Sequence, residues 1–339
     1  MAEIKLLRRN ILIAVCLVSF LFCSCEKVLQ LKSPEPSHSA VFEELWHVMD
    51  ERYALFSVKG IDWQESYQHF HPQVTDNMTA DDFFSVLSNM LDSLKDGHIT
   101  LTSPSDRFTY DGFYTLHPAN FNYDNILNNY LHNDYKTSGP LIYKITDGVG
   151  YIYYSSFADD LSDEQIDNVI NEMKDTKGLM IDVRNNTGGN TVNADKIFSR
   201  FINSATLVKY EKIKKASGHD DFYDAQPHYI SPAGNTYSKP VAVLTNRKCF
   251  SACNDFVLYM SQLPNVKLFG DQTGGGGSIP HQYILANGWN IQYSATLTQS
   301  ANKASIENGI MPDESIIITP IQESNGKDII IETAFQYLH

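Results

Sequence analysis

From Leu141 onward, apolar runs of strand length alternate with segments whose apolar residues recur every three or four positions. This alternation constrains the fold more than any other feature of the chain. Strands are expected at 141–146, 150–157, 179–183, 206–213, 240–245, 266–269, 283–286, 289–298 and 315–319. Helices are expected at 162–175, 191–203 and 327–338. In the first of these Ile166, Val169, Ile170 and Met173 share a face, and Ser162 with Gln165 forms a capping signal. Asn287-Gly288 marks a hairpin. Strands separated by helices call for an α/β core, a sheet covered by helices, over residues 141–339.

Upstream the pattern is helical. Residues 39–100 hold two amphipathic segments, Ser39 to Phe56 and Thr79 to Leu94, and read as a small N-terminal helical domain. Asp96-Gly97 ends the second helix, with Gly97 expected to supply the left-handed cap. His98 follows at once and leads an alternating Ile99-Thr100-Leu101-Thr102. Residues 101–140 are rich in Asn, Tyr and Asp, lack clear periodicity and read as an irregular insert.

The first 24 residues form a separate unit. Lys5, Arg8 and Arg9 precede an apolar run from Ile11 to Phe22, a signal-peptide pattern. The run ends in Phe22-Cys23-Ser24-Cys25, which resembles a relaxed bacterial lipobox with Cys25 as the lipidated residue; plain cleavage near Ser24 is the alternative. Residues 25–38, polar with two prolines, read as a tether. These features predict a lipoprotein of the bacterial cell envelope, anchored at a membrane and facing the periplasm or surface. Loss of residues 1–24 moves the net charge from −14 to −16, because three basic residues leave with Glu3. So acidic a surface argues against a nucleic-acid partner. Cys249 and Cys253 are expected as buried free thiols, and no metal-ligand cluster is visible.

One stretch carries chemistry. In Pro240 to Phe256 a buried strand runs into a polar turn, then Ser251, then a helix with Phe256, Val257, Met260 and Leu263 on its apolar face. Strand, sharp turn, serine and helix expose a hydroxyl beside the free N–H groups of a helix N-terminus. Serine needs a base and an oxyanion site to act as a nucleophile; without them Ser251 simply caps its helix.

Three further segments supply what is missing: Leu94-Lys95-Asp96-Gly97-His98, Asp182-Val183-Arg184-Asn185-Asn186-Thr187-Gly188-Gly189, and Glu307-Asn308-Gly309-Ile310-Met311-Pro312-Asp313. With the Ser251 turn and Gly270-Asp271-Gln272-Thr273-Gly274, in this order, they resemble the C-terminal processing (tail-specific) serine peptidases, tricorn-like branch, over about residues 40–320. The resemblance implies a ClpP/crotonase-like core sheet with helices, Ser251 as nucleophile, His98 as general base and Glu307 as the carboxylate behind the base. Gly188, Gly189 and the N–H of Ala252 are the expected oxyanion hole. Asp182, Arg184 and Asn186 are expected to build the loop by hydrogen bonds. Peptides or unfolded protein ends are the implied substrates, with no cofactor.

The chain departs from the family pattern in three places. Gly276 stands where the tail-specific branch carries a catalytic lysine, which disfavours a Ser–Lys dyad. Gly97 stands where the tricorn-like branch has a relay serine before its histidine, so Glu307 would need direct or water-mediated contact with His98. The roughly 40 residues between His98 and Leu141 are too few for a PDZ domain. His281 is a spare candidate base. A catalytically degenerate binding lipoprotein on the same fold is the alternative reading, and an acyl-thioester enzyme of crotonase type a more distant one.

Overall fold

The computed structural model describes residues 36–215 and 218–339. The expected leader, Cys25 and most of the tether lie outside the described residues. Among the described residues no helix is long and apolar enough to cross a membrane.

A seven-stranded sheet forms the centre. Its strands are β3 (Lys136–Ser138), β4 (Leu141–Thr146), β5 (Val149–Tyr153), β6 (Gly178–Asp182), β9 (Val241–Thr245), β10 (Val266–Gly270) and β14 (Glu314–Ser315). They lie in the order β14-β10-β9-β6-β5-β4-β3. The five strands from β14 to β5 run parallel, and β4 and β3 turn back antiparallel. β6 and β9 are buried at every position, as central parallel strands covered on both faces must be. One face packs on the helices α5 (Asp163–Met173), α6 (Thr191–Phe198) and α7 (Ala252–Ser261). The other packs on α8 (Ile329–Leu338) through Met180, Ala242, Leu244, Ile330 and Ala334. The Ser162 capping box at α5 is present with both of its hydrogen bonds.

The N-terminal helices, α1 (His38–Arg52), α2 (Phe56–Lys59), α3 (Trp63–Phe70) and α4 (Ala80–Asp92), do not form a unit of their own. Their core residues, among them Phe42, Leu45 and Leu87, cluster with Leu285, Trp289, Ile291 and Tyr293 from the far end of the chain. Those distant residues lie in or beside the hairpin of β11 (Pro280–Ile284) and β12 (Asn290–Ser294), built around the Asn287-Gly288 turn. Together with β1 (Thr100–Thr102) and β2 (Arg107–Thr109) they make a second sheet, ordered β11-β12-β1-β2. Packing therefore crosses the boundary expected near residue 100. The single strand expected at 289–298 is two: after Ala295 the chain enters β13 (Thr296–Ser300). β13 pairs with β7 (Thr206–Ile213), which in turn pairs with β8 (Gln226–Ile230), in a third sheet.

A second correction concerns the turn before His98. The left-handed residue there is Lys95, at φ 48°, not Gly97. Gly97 instead lies against two aromatic rings: a Cβ at this position would sit 2.6 Å from the Phe113 ring and 2.8 Å from the Phe250 ring.

Candidate active site

Ser251 ends the turn that follows β9 and stands at the N-cap of α7. Its backbone is at φ 55°, ψ −124°, a conformation natural to glycine. For a residue with a Cβ this costs on the order of 1–3 kcal/mol. The surroundings enforce it: Ser251 N–H donates to Gly275 O at 3.0 Å, Phe250 N–H to Asn186 O at 3.2 Å and Cys249 N–H to Asn246 O at 2.9 Å. The hydroxyl makes no capping hydrogen bond to its own helix.

His98 meets it there. His98 Nε2 lies 3.1 Å from Ser251 Oγ, across 153 positions of sequence. The imidazole is held by its backbone, with N–H donating to Asp96 Oδ1 at 2.8 Å and the carbonyl accepting from Gln292 Nε2 at 3.0 Å. Its ring packs on Phe250, centroids 4.7 Å apart. His98 is only 6% exposed, and burial lowers its pKa below the ordinary value, an effect opposed by the nearby Asp96 carboxylate and reinforced by Lys59. The ring is therefore neutral at pH 7. If Nε2 accepts the serine proton, Nδ1 carries the other hydrogen. Nδ1 is buried and has no hydrogen-bond partner among the described residues.

Glu307 does not reach that nitrogen by a hydrogen bond. Its Oε1 is 3.1 Å from Lys59 Nζ, and its Oε2 accepts the Gly277 N–H at 3.1 Å. Burial lifts its pKa to about 7, with Asp96 adding to the rise and Lys59 opposing it. The carboxylate whose field raises the proton affinity of His98 is Asp96, itself fully buried and accepting from Ser294 Oγ at 2.7 Å. From sequence Asp96 had no role beyond its place in the segment before His98, and Lys59 had none. The Asp-Gly-His order was the available signal for Asp96, and nothing in the short α2 marks Lys59.

The loop after β6 lies on the other side of Ser251. Asn186 shapes it, with Oδ1 accepting from Gly188 N–H and Phe157 N–H while Nδ2 donates to Tyr154 O. Arg184, fully buried, bridges Asp182 at 2.7 Å and Asp328 at 2.8 Å and ties the loop to α8. Gly188 packs directly on the serine: a Cβ there would sit 2.8 Å from Ser251 Cβ and 2.9 Å from Ala252 N. Of the three expected oxyanion donors, Gly188 N–H is already engaged by Asn186. Those of Gly189 and Ala252 have no acceptor among the described residues. A cavity of about 290 Å³ opens at Ser251 between Gly189–Thr191 and Gly276–Pro280.

The remaining candidates are placed as follows. Gly276, at φ 74°, faces the Phe250 ring so closely that a Cβ would lie 2.2 Å from it, which leaves no room for a lysine. His281 is exposed on the edge strand β11 and makes no hydrogen bond to Ser251. Cys249 and Cys253 are buried free thiols. Asp313 accepts the Leu268 N–H at 2.7 Å and so fixes the edge of β10.

Known proteins share sequence and fold with this chain. The sequence model of peptidase family S41 matches residues 148–316, and that of the tricorn protease C1 domain matches residues 34–92. A crystal structure of a candidate peptidase from Parabacteroides merdae is 41% identical, with a TM-score of 0.86 over 89% of this chain and 97% of that one. The chain belongs to peptidase family S41. Among curated proteins, this S41 member is 28% identical over 186 residues to a CtpA-like serine protease of Staphylococcus aureus (strain COL). That match takes in 54% of the chain and 36% of the relative, so the chain spans about a third of the length of the curated relatives it matches. Mature CPAF complexed with lactacystin shares the fold, with a TM-score of 0.67 at 13% identity over 89% of this S41 chain and 97% of CPAF.

Proposed function

We propose that this S41 member is a serine peptidase that cleaves peptides or unfolded protein ends through an acyl-enzyme on Ser251. The observation that carries the reading is the 3.1 Å contact between His98 Nε2 and the hydroxyl of a strained serine at a helix N-terminus. His98 takes the Ser251 proton as Oγ bonds to the substrate carbonyl carbon, then gives it to the leaving amine as the C–N bond breaks. Water, deprotonated by the same imidazole, hydrolyses the ester. Gly189 and Ala252 N–H groups receive the developing oxyanion, and Gly188 keeps them in place against Ser251. Asp96 supplies the negative charge against which the imidazolium forms, and Glu307 holds Lys59, the cation that opposes it. The tether and Cys25 make this a lipoprotein of the cell envelope.

A second reading, a binding module with a degenerate site, draws on one observation: among the described residues no carboxylate accepts from His98 Nδ1. A fluorophosphonate probe separates the two. The peptidase reading expects labelling of the wild type and none of Ser251→Ala. Equal labelling of both, or of neither, sinks it.

A further inference from the structure

The cavity at Ser251 continues along α7, and its walls are charged. Asp255 and Tyr259, one and two turns below Ser251, line it with Lys209 and Glu211, which share a face of β7, and with His228 of β8. Three of these residues are already paired. Lys209 Nζ lies 2.7 Å from Asp255 Oδ2, both buried, and His228 Nε2 lies 2.9 Å from Asp195 Oδ2. Glu211 is left over: half-buried on the wall, its carboxylate makes no hydrogen bond or ion pair among the described residues. At the floor Asp255 Oδ1 and Tyr259 Oη are buried without partners, as is Asp195 Oδ1 behind them. The cavity has a surplus of acceptors and of negative charge: the single Lys209 cation feels both Asp255, which it touches, and Glu211, which it does not bond.

We propose that this cavity receives the side chain on the acyl side of the cleaved bond, and that it selects a basic residue, lysine or arginine, whose cation pairs with Glu211 above the Lys209–Asp255 pair. The inference rests on Ser251 being the nucleophile. Four residues of helix carry Asp255 about 6 Å along the axis from Ser251, about the reach of a long basic side chain. An apolar side chain would instead bury Glu211 and leave the floor acceptors without donors. An acidic one would face two carboxylates and a lysine that Asp255 already neutralises.

The test is competition for Ser251 between a fluorophosphonate probe and tripeptide aldehydes that differ only in their last residue: Arg, Lys, Leu or Glu. Arg and Lys aldehydes should protect at concentrations about tenfold or more below Leu, with Glu weakest. Glu211→Gln should bring the Arg:Leu ratio close to one, and Glu211→Lys should make the Glu aldehyde a better competitor than Arg. Leu protecting as well as Arg in the wild type, or an Arg:Leu ratio unmoved in Glu211→Gln, overturns the pocket assignment alone. Wild-type protein that takes no label at Ser251 overturns the nucleophile, and the pocket with it.

Discussion

Lys59→Met removes the cation that meets Glu307 while keeping a side chain of similar length. In the wild type Lys59 Nζ lies 3.1 Å from Glu307 Oε1 and also donates to Lys95 O at 3.0 Å. The Glu307 carboxyl titrates at about 7 in the folded protein. At pH 5.5 it is mostly protonated, so the variant loses only hydrogen bonds, about 1 kcal/mol. At pH 8 ionisation at a pKa of about 7 stabilises the folded state by RT ln(1 + 10), about 1.4 kcal/mol relative to the protonated form. Without Lys59 the buried carboxyl stays protonated, that contribution vanishes, and the destabilisation rises to about 2.4 kcal/mol. The unfolded chain titrates Glu307 alike in both proteins, so its term cancels. The sign follows from a folded pKa raised above the ordinary 4.5. The group's contribution declines as pH rises toward about 7 and then levels in the wild type, whereas in the variant it goes on declining. Urea unfolding of both proteins at the two pH values measures this. A stability difference equal at both, or larger at pH 5.5, refutes the assignment of Glu307 ionisation to Lys59.

Four further outcomes are expected. His98→Ala should lower acylation by several orders of magnitude, and in the wild type the acid limb should fall below pH 6.5, because burial lowers the His98 pKa from that value; steady-state rates across pH 5–8 read both, and His281→Ala should match the wild type. Arg184→Met leaves the Asp182 and Asp328 carboxylates buried without their cation and should cost about 3–5 kcal/mol, seen as lost soluble yield or a collapsed thermal transition. Gly276→Ala drives a Cβ into the Phe250 ring and should reduce melting temperature and probe labelling together. Cys25→Ala should move the protein from the membrane fraction to the soluble fraction with peptidase activity intact; acyl labelling that survives the substitution refutes the anchor.

Legibility in the sequence followed the physics of each element. Strands such as β6 and β9 are buried on both sides and show as continuous apolar runs, and α5 announced itself through Ser162 and Gln165. β8 was missed because its residues, Gln226 to Ile230, are mostly solvent-facing and include Pro227. α3 was missed because its stripe of Trp63, Tyr67 and Phe70 spans only eight residues, with polar residues between and Trp63 alone fully buried. The break at Ala295 was hidden inside one unbroken β-rich run, since the chain changes sheets without a glycine or proline. In the site, Ser251 and His98 were legible from the order of short motifs. Lys59 and Glu211 were not: one sits in a four-residue helix, and the other matters only because β7 packs beside α7.

The second sheet fixes how much of the chain must be folded before this site can exist. β1, which follows His98, pairs with β12, and Gln292 holds the His98 carbonyl. The His98 backbone thus takes its hold from residues 290–294, some forty positions beyond Ser251 in the chain. The contact between Ser251 and His98 therefore depends on the β12 hairpin having docked against β1. A product that stops short of the β12 hairpin leaves the N-terminal helices without Leu285, Trp289 and Ile291. Such a fragment also lacks the Gln292 amide that holds the His98 carbonyl, so the candidate site is maintained by a contact between segments 194 positions apart.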